Sequence, residues 1–355
     1  MATSSEYKLG EFAFPRGWFM IAEGTEVGAE PLALHFFGKD FVLYRGESGR
    51  VVLLDAYCVH MGAHLGRGKS TSIVVQGKQI EGDAIRCPYH AWRYDANGQV
   101  DDIPNLSGPC PKSARLRSYP VAEVLGAVMM WHDPEFGEPD FAPPVLVEWD
   151  DPHWINGTYD HLGVIHIHSQ ELLDNMADSN HFGPVHGLPP DYFSNEFRGH
   201  MYFQYQGGFR LEYNAYLRTN TYYTGPGLLI SRQRIGTIDS IEFIFHSPLD
   251  DGSVKVWHNV LIRTESATPT DAERAAQKEN QTVVLAAFAQ DFDIWSGKTP
   301  ATTIMVLKHE RNLLLARAWY RQFFNPRAKA SAVHAELDGE YPVEHLAAPD
   351  DSARI

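Results

Sequence analysis

Two short segments of the chain each place one cysteine and one histidine beside turn-forming residues. The first is Cys58-Val59-His60, which Met61-Gly62 follows, and the second is Cys87-Pro88-Tyr89-His90. Thiolates and neutral imidazoles are metal ligands, and turn residues allow two loops to close on one centre. The pattern therefore predicts a fold in which two neighbouring loops hold a metal centre between them.

A [2Fe–2S] cluster of the Rieske type has the ligands that these two loops offer. In such a cluster two cysteines bind one iron and two neutral histidines bind the other, which raises the reduction potential. A zinc site uses the same residue types, but zinc fingers usually group the cysteines together. The order Cys-His followed by Cys-His therefore favours the cluster over zinc and over a chance coincidence of loop residues.

The remaining composition bears on the cellular setting. The third cysteine, Cys110, stands between two prolines outside both loops, and we interpret it as structural, since three sparse cysteines do not form a disulfide framework. The formal net charge of -15 argues against nucleic acid and anionic membranes as partners, because both require a positive surface. No segment resembles a secretory signal or an apolar membrane span. The expected location is the cytoplasm.

Turn residues and apolar runs divide the chain into parts. Up to about Asp133, short strands separated by Gly-rich turns predict a small all-β unit. The segment Asp133–Pro144 is rich in Pro, Gly and acidic residues, so it is the candidate linker. We predict an α+β chain with domains at 14–135 and 136–327, and a loosely packed tail at 328–355. The predicted strands are Leu32–Phe37, Asp40–Tyr44, Val51–Asp55, Ala84–Cys87, Arg93–Tyr94, Val128–Trp131, Met201–Gln206, Phe209–Arg218, Ile238–Ser247 and Val254–Arg263.

A second group of candidate ligands lies on a predicted helix at Glu171–Phe182. Asp174, Asp178 and His181 recur at helical spacing and would share one face, and His186 follows just after the helix-breaking Gly183-Pro184. Two neutral imidazoles close together suit a ferrous iron, which also needs a carboxylate ligand and an open side for dioxygen. The alternative is that both histidines are ordinary buried or surface residues.

A long predicted helix at Thr270–Ser296 supplies the carboxylate. Asp291 falls on an apolar stripe of this helix, where a carboxylate is costly unless it is paired or binds a metal. Asp293 is the rival, but its angular position places it with Ala286 and Ala289. We therefore predict that His181, His186 and Asp291 bind a mononuclear iron.

At these residues the sequence resembles the Rieske non-heme iron oxygenases. The resemblance covers about Phe14 to Asn325, and several segments are similar to the 3-ketosteroid 9α-hydroxylase oxygenase branch. The stretch between the two loops is longer than in most relatives, and the additional residues, near Ser70–Gln79, are expected to form an extended hairpin. The segments that carry the resemblance are Leu54 to Gly66, Cys87 to Tyr94, Asp174 to His186, Gln290-Asp291 with Trp295 and Lys298, and Arg317 to Phe324.

The resemblance implies a fold, an activity and its cofactors. The second domain would hold a helix-grip-like antiparallel sheet flanked by helices. The chain would be the oxygenase component of a multi-component enzyme, with a [2Fe–2S] cluster and a mononuclear Fe(II). It would hydroxylate a largely apolar, steroid-like substrate with O₂, drawing electrons from NAD(P)H only through a ferredoxin or flavin reductase. O- or N-dealkylation, desaturation and aromatic ring hydroxylation are alternatives, and an electron-transfer protein without catalysis is an alternative of another class.

The resemblance also implies an assembly. Relatives form head-to-tail homotrimers, in which an aspartate bridges a cluster histidine of one subunit and an iron histidine of the next. Asp178 would have this role, facing His60 or His90 of the partner subunit. The alternative is that its carboxylate contacts a metal-bound histidine within the same subunit. Asn175 would support the iron ligands by hydrogen bonding.

Overall fold

The computed structural model of the chain describes residues 1–211 and 214–349. These residues form two compact units. The smaller unit comprises Met20–His132 and Phe136–Pro143, and the larger comprises Met1–Phe19, Asp133–Glu135 and the chain from Pro144 onwards. The domain bounds 14–135 and 136–327 stay a prediction.

Short strands dominate the N-terminal part, as the turn pattern predicts. They form sheets in the orders β1-β10-β9, β2-β3-β4 and β5-β6-β7-β8. Buried apolar side chains of these strands surround Cys58 and Cys87, so both cysteines belong to the core of the unit. The elements are β1 (Gly17–Glu23), β2 (Leu32–Phe36), β3 (Lys39–Arg45), β4 (Val51–Asp55), α1 (Ser72–Val75), β5 (Ile80–Glu81), β6 (Ala84–Arg86), β7 (Arg93–Tyr94), β8 (Val100–Asp102), β9 (Val121–Val124) and β10 (Ala127–His132).

The segment Ser70–Gln79 is not a hairpin, so that prediction is wrong. It forms the single helical turn α1, in which the carbonyl of Thr71 accepts hydrogen bonds from the amides of Val74 (3.1 Å) and Val75 (2.9 Å). Gly77 follows in the left-handed conformation, with φ of 67°. A glycine in this conformation ends a helical turn at little cost.

The larger unit is built on one antiparallel sheet. Its described strands number nine, in the order β11-β18-β17-β16-β15-β14-β13-β19, with β12 paired to β18. Helices α2, α4 and α5 each bury part of their surface. The elements are β11 (Trp154–Asn156), β12 (Asp160–Ile165), α2 (Ser169–Ala177), α3 (Phe182–His186), β13 (Tyr192–Arg198), β14 (Met201–Arg210), β15 (Ala215–Thr224), β16 (Leu228–Ile235), β17 (Ile238–Pro248), β18 (Val254–Arg263), α4 (Asp271–Gly297), α5 (Arg311–Arg321), α6 (Ala330–Leu337) and β19 (Gly339–Pro342).

The predicted strand Phe209–Arg218 is wrong, because the chain reverses within it. Arg210 on β14 pairs with Ala215 on β15, and Glu212 and Tyr213 lie outside the described residues. Asn214 adopts a φ of 47° and donates its amide to the carbonyl of Leu211 at 3.2 Å. Asparagine tolerates this left-handed conformation and favours a turn over a continued strand.

The predicted helix Glu171–Phe182 is also interrupted. Helix α2 ends at Ala177, and Asp178 is extended, with φ of -89° and ψ of 99°. The Asp178 carboxylate accepts a hydrogen bond from the amide of Asn180 at 2.9 Å, a local turn that competes with the helix. Pro184 therefore does not end a helix but lies in the first turn of α3, where its missing N–H costs little.

Helix α4 confirms the long helix predicted at Thr270–Ser296. Thr270 caps it, and its hydroxyl accepts from the amide of Glu273 at 3.2 Å, while the Glu273 carboxylate accepts from the Thr270 amide at 2.7 Å. This reciprocal pair satisfies donors that a helix start otherwise leaves unpaired. Among the described residues, no helix combines the length and apolar character that crossing a bilayer demands.

The C-terminal segment is packed rather than loose over its described part. Strand β19 pairs with β13, with Asn195 opposite Tyr341. The side chains of Leu337 and Val343 are buried. The expectation of a loosely packed tail is therefore wrong for α6 and β19, because Gly339–Pro342 extends the main sheet. Residues 350–355 lie outside the described residues.

Candidate metal centres

The two cysteine loops have the same backbone design. The carbonyl of Cys58 accepts from the amide of Gly62 at 2.9 Å, and that of Cys87 accepts from the amide of Ala91 at 3.0 Å. Each loop ends in the left-handed conformation, with φ of 73° at Gly62 and 56° at Ala91. Alanine in this conformation is strained and persists only where its surroundings fix it. The glycine is visible in the sequence as a turn signal, whereas the alanine is not.

The cysteine side chains point into the core of the smaller unit. Neither forms a disulfide and both are buried, and the close approach of the two sulfurs lowers the pKa of Cys58 and raises the pKa of Cys87. The Tyr94 hydroxyl lies 3.0 Å from Cys58 Sγ. A thiolate is the form of cysteine that binds metal, so this buried pair fits one iron of a cluster.

The histidines of the two loops lie on the solvent side of the cysteines. The rings of His60 and His90 are 4.7 Å apart between centroids, and the Trp92 ring stacks on His60 at 4.5 Å. His60 is exposed and His90 is half-buried. Two buried sulfurs and two outward imidazoles are the donor set of a Rieske cluster, with an exposed edge through which electrons can pass.

In the larger unit, the structure brings His181, His186 and Asp291 together. One ligand atom from each lies within 4.8 Å of the other two, and Nε2 of His186 is 3.5 Å from the Asp291 carboxylate. His181 directly precedes α3, His186 is the last residue of α3, and Asp291 reaches them from α4. Asp291 is 6% exposed, whereas Asp293 faces solvent, as the apolar stripe of α4 predicts.

Hydrogen bonds orient both imidazoles toward the centre of this group. Nδ1 of His181 donates to the backbone carbonyl of Asp178 at 2.6 Å, and Nδ1 of His186 donates to Oε1 of Gln290 at 2.9 Å. In the neutral rings both Nε2 atoms are thereby left as acceptors. Burial disfavours the charged form of His186, but the neighbouring Asp291 carboxylate outweighs this effect and raises the pKa of His186. Nε2 of His181 is buried and has no described hydrogen-bond partner, which is unfavourable unless a metal binds there. Burial also lowers the pKa of His181, which favours the neutral, ligating form.

The other predicted residues fall in different places. Asp174 does not join this group, because it pairs with Arg317 on α5. The Asp178 carboxylate is about one-third exposed and lies 3.8 Å from Nδ1 of His181, and Asn175 lines the adjoining pocket. Gln290 was not predicted to be a site residue, although it stands next to the predicted ligand Asp291 in the sequence.

A pocket opens beside the three candidate ligands. Its helical walls are mainly apolar, with Leu172 and Met176 from α2 and Val284 and Phe288 from α4. The wall formed by the sheet is largely polar. Its polar residues are Gln204, Gln206, Arg210, Thr219, Thr221, Tyr223, Ser231, Gln233 and Glu242. The pocket can therefore take an apolar body with a small number of polar groups.

Comparisons with known proteins agree with this geometry. The sequence model of a family described as "Rieske [2Fe-2S] domain" matches residues 17–120, and that of "3-Ketosteroid 9alpha-hydroxylase C-terminal domain" matches residues 130–324. A probable 3-ketosteroid-9-alpha-monooxygenase oxygenase component of Rhodococcus rhodochrous is 30% identical over 88% of this chain and 80% of its own length.

Two further proteins show how far the similarity extends. The cholesterol 7-desaturase nvd of Bombyx mori is 34% identical over 49% of this chain and 36% of its own length. The crystallised NdmA QL mutant of Pseudomonas putida CBB5 with caffeine has a TM-score of 0.69 and 18% identity, with 98% of each chain covered. At that identity the likeness concerns the fold alone.

Proposed function

Since the chain belongs to the 3-ketosteroid 9α-hydroxylase family of Rieske oxygenases, we propose that it hydroxylates a steroid-like, largely apolar polycycle in the pocket beside His181, His186 and Asp291. It is the oxygenase component of a multi-component enzyme and depends on a reductase for electrons. The observation that carries the proposal is the group of two half-buried imidazoles and one buried carboxylate at the edge of that pocket.

The proposal assigns the ligands as follows. Cys58, His60, Cys87 and His90 hold the [2Fe–2S] cluster, and His181, His186 and Asp291 hold the mononuclear iron. The cluster supplies electrons, and the iron supplies activation of dioxygen for insertion into a C–H bond. The hydrogen bonds from His181 to the Asp178 carbonyl and from His186 to Gln290 fix which imidazole nitrogen faces the metal.

The pocket residues position the substrate and exclude water. Leu172 and Phe288 offer apolar surface to the body of a polycycle, and burial of that surface drives binding. The three ligands approach from α3 and α4, so substrate occupies the side that they leave open. An apolar substrate in this position excludes water from the reacting C–H bond.

The assembly is part of the proposal. We infer a head-to-tail homotrimer in which Asp178 bridges His181 and a cluster histidine of the neighbouring subunit. The partly exposed carboxylate of Asp178, close to His181, supports this role, because it can reach both its own histidine and another chain. Outer carboxylates commonly orient metal-bound histidines.

A first experiment tests the two metal centres. Protein purified without oxygen should contain acid-labile sulfide, show the absorption and electron-resonance signals of a Rieske cluster, and hold additional iron. His181→Ala should lose the additional iron but keep the cluster signals, and Cys87→Ser should lose the cluster signals. A colourless, zinc-containing protein would contradict the proposal.

A second experiment tests the reaction. Steroids and other polycycles are incubated with the holoenzyme, a surrogate reductase and NADH, and products are identified by mass. Hydroxylation adds one oxygen atom, whereas desaturation removes two hydrogens. Desaturation is the second candidate, favoured by the similarity to cholesterol 7-desaturase. No turnover of any polycycle by enzyme with both metals would refute the substrate proposal.

A third experiment tests the bridge between subunits. Asp178→Asn should keep both metals but lose turnover. Co-expression of this variant with Cys87→Ser should restore part of the activity, because an intact cluster on one chain can then serve an intact Asp178 on its neighbour. Electron transfer within a single chain predicts no restoration.

A further inference from the structure

The polar wall of the substrate pocket follows from the strand register. Gln204 pairs with Thr221, Thr221 pairs with Ser231, and Ser231 pairs with Glu242, so these four side chains form one row across β14 to β17. Gln206, Thr219 and Gln233 form the next row on the same face. Because residues two apart on a strand share a face, both rows point into the pocket, where all seven residues are found.

Several polar groups of these rows are satisfied within the wall. The hydroxyls of Thr221 and Ser231 are 2.8 Å apart, and the side-chain amide of Gln204 donates to the carbonyl of Met176 at 3.0 Å. The side-chain amide of Gln233 donates to Oε2 of Glu242 at 2.8 Å. These contacts hold the wall in place. Glu242 is the one carboxylate in the two rows, while Arg210, further along β14, adds a guanidinium to the pocket lining.

A buried histidine lies next to the carboxylate of Glu242. Its Oε1 is 3.2 Å from Nε2 of His258, while Nδ1 of His258 is 2.9 Å from the Asp160 carboxylate. His258 is fully buried, and Glu242 is 8% exposed. Burial lowers the pKa of His258, but the two carboxylates outweigh this effect, so its pKa is raised. The imidazolium therefore balances the charge of Glu242, and no cationic ligand is required to do so.

The remaining bonding capacity of Glu242 is that of an acceptor. Each carboxylate oxygen can accept two hydrogen bonds. Oε2 of Glu242 accepts one from Gln233, and Oε1 faces Nε2 of His258 at 3.2 Å as an ion pair without hydrogen-bond geometry. A substrate hydroxyl can donate to such an oxygen. A ketone oxygen can only accept, so beside Glu242 it would lose its water without gaining a donor.

We propose that Glu242 determines specificity by accepting a hydrogen bond from a hydroxyl group of the polycyclic substrate, so that this enzyme selects an alcohol over the corresponding ketone. The inference rests on the proposed function, because it assumes that the polycycle binds in the pocket beside His181. The inference specifies which polar group the substrate carries. A site built around a hydrogen bond to a hydroxyl discriminates strongly against analogues that lack the donor.

The wild-type holoenzyme provides the first test. Matched steroid sets carry an alcohol, a ketone, an amine or only hydrogen at ring position 3 and, in a second series, at position 17. The alcohol of one series should bind about ten- to a hundredfold more tightly than its ketone, the effect of one hydrogen bond to a charged group. Calorimetric titration without dioxygen measures this independently of turnover. Equal affinity for alcohol and ketone, or preference for the amine, would overturn the proposal.

Two variants test whether Glu242 is the residue that causes the preference for alcohol over ketone. Glu242→Gln keeps the size of the side chain but adds an N–H donor, so the preference for alcohol over ketone should fall at least tenfold. Asp160→Asn is the matched control, since it removes a carboxylate from the same histidine outside the pocket, and it should keep the wild-type preference. Equal loss of preference in both variants would assign the effect to the charge of His258 and refute the role of Glu242.

The outcomes also separate this inference from the proposed function. If polycycles bind and turn over but alcohol and ketone are treated alike, only the role of Glu242 fails. If no steroid of any set binds to enzyme with both metals, the proposed function fails as well.

Discussion

Replacing Arg317 by methionine should strongly destabilise the larger unit. Arg317 on α5 donates from Nε to Oδ1 of Asp174 on α2 at 2.9 Å, and from a terminal nitrogen to the other carboxylate oxygen. The exposed fractions of the Arg317 and Asp174 side chains are 10% and 15%. Arg317 also donates to the carbonyl of Ala301 at 2.8 Å. The change would leave a buried carboxylate without its cation.

The size and pH dependence of the loss follow from this burial. Removing one partner of a buried pair costs about 3–5 kcal/mol of unfolding free energy. Burial raises the pKa of Asp174, and Arg317 offsets that only in part. Without Arg317, the folded-state pKa rises further above the unfolded value of about 4. The folded variant then binds more protons than the unfolded chain, so its deficit should shrink as the pH is lowered from 8 toward 4.

Urea denaturation of the holoprotein, followed by tryptophan fluorescence at fixed protein concentration, measures the difference. The matched control is Arg234→Met, because Arg234 pairs with Asp239 through two hydrogen bonds but has a side chain 46% exposed. An exposed pair of this kind contributes less than about 1 kcal/mol. The reasoning is refuted if the two variants lose equal stability at pH 8, or if the deficit of Arg317→Met grows at lower pH.

Three further predictions concern protons and metals. Burial lowers the pKa of His246 to about 3, whereas an unfolded histidine titrates near pH 6.5. Between these values the unfolded chain binds more protons than the folded chain, so His246→Gln should remove about 2 kcal/mol of the stability loss that acid causes at pH 5. Urea denaturation at pH 5 and 7.5 measures this difference. Gln290→Ala should weaken iron binding about ten- to a hundredfold, measured by iron titration of apoprotein, with the cluster signal unchanged. An iron chelator should remove the mononuclear iron before the cluster, whose cysteines Cys58 and Cys87 are 3% and 1% exposed, as followed by electron resonance.

Local patterns predicted the features that depend on one segment of chain. The spacing of the two cysteine loops depends only on turns, and both loops close as expected. The choice of Asp291 over Asp293 depends on the period of α4, and the stripe faces the pocket. Predictions failed where a side chain competes with backbone groups for the hydrogen bonds of a helix or strand. The turn made by Asp178 breaks a helix that periodicity alone favours, and it places Asp178 on the other side of a bend from Asp174.

Features that depend on two distant segments could not be predicted from the sequence, because strand register and backbone orientation determine them. The carbonyl that orients His181 belongs to Asp178, and a carbonyl has no residue type that a sequence could display. The polar wall of the pocket could not be predicted from the sequence for a related reason. Gln204 and Glu242 stand on strands of alternating polarity, and a shift of one residue in any strand would turn its side chains to the other face. Only the pairing of β14 through β17 places Glu242 in the same row as Gln204. The substrate preference is therefore determined by strand register and not by a motif.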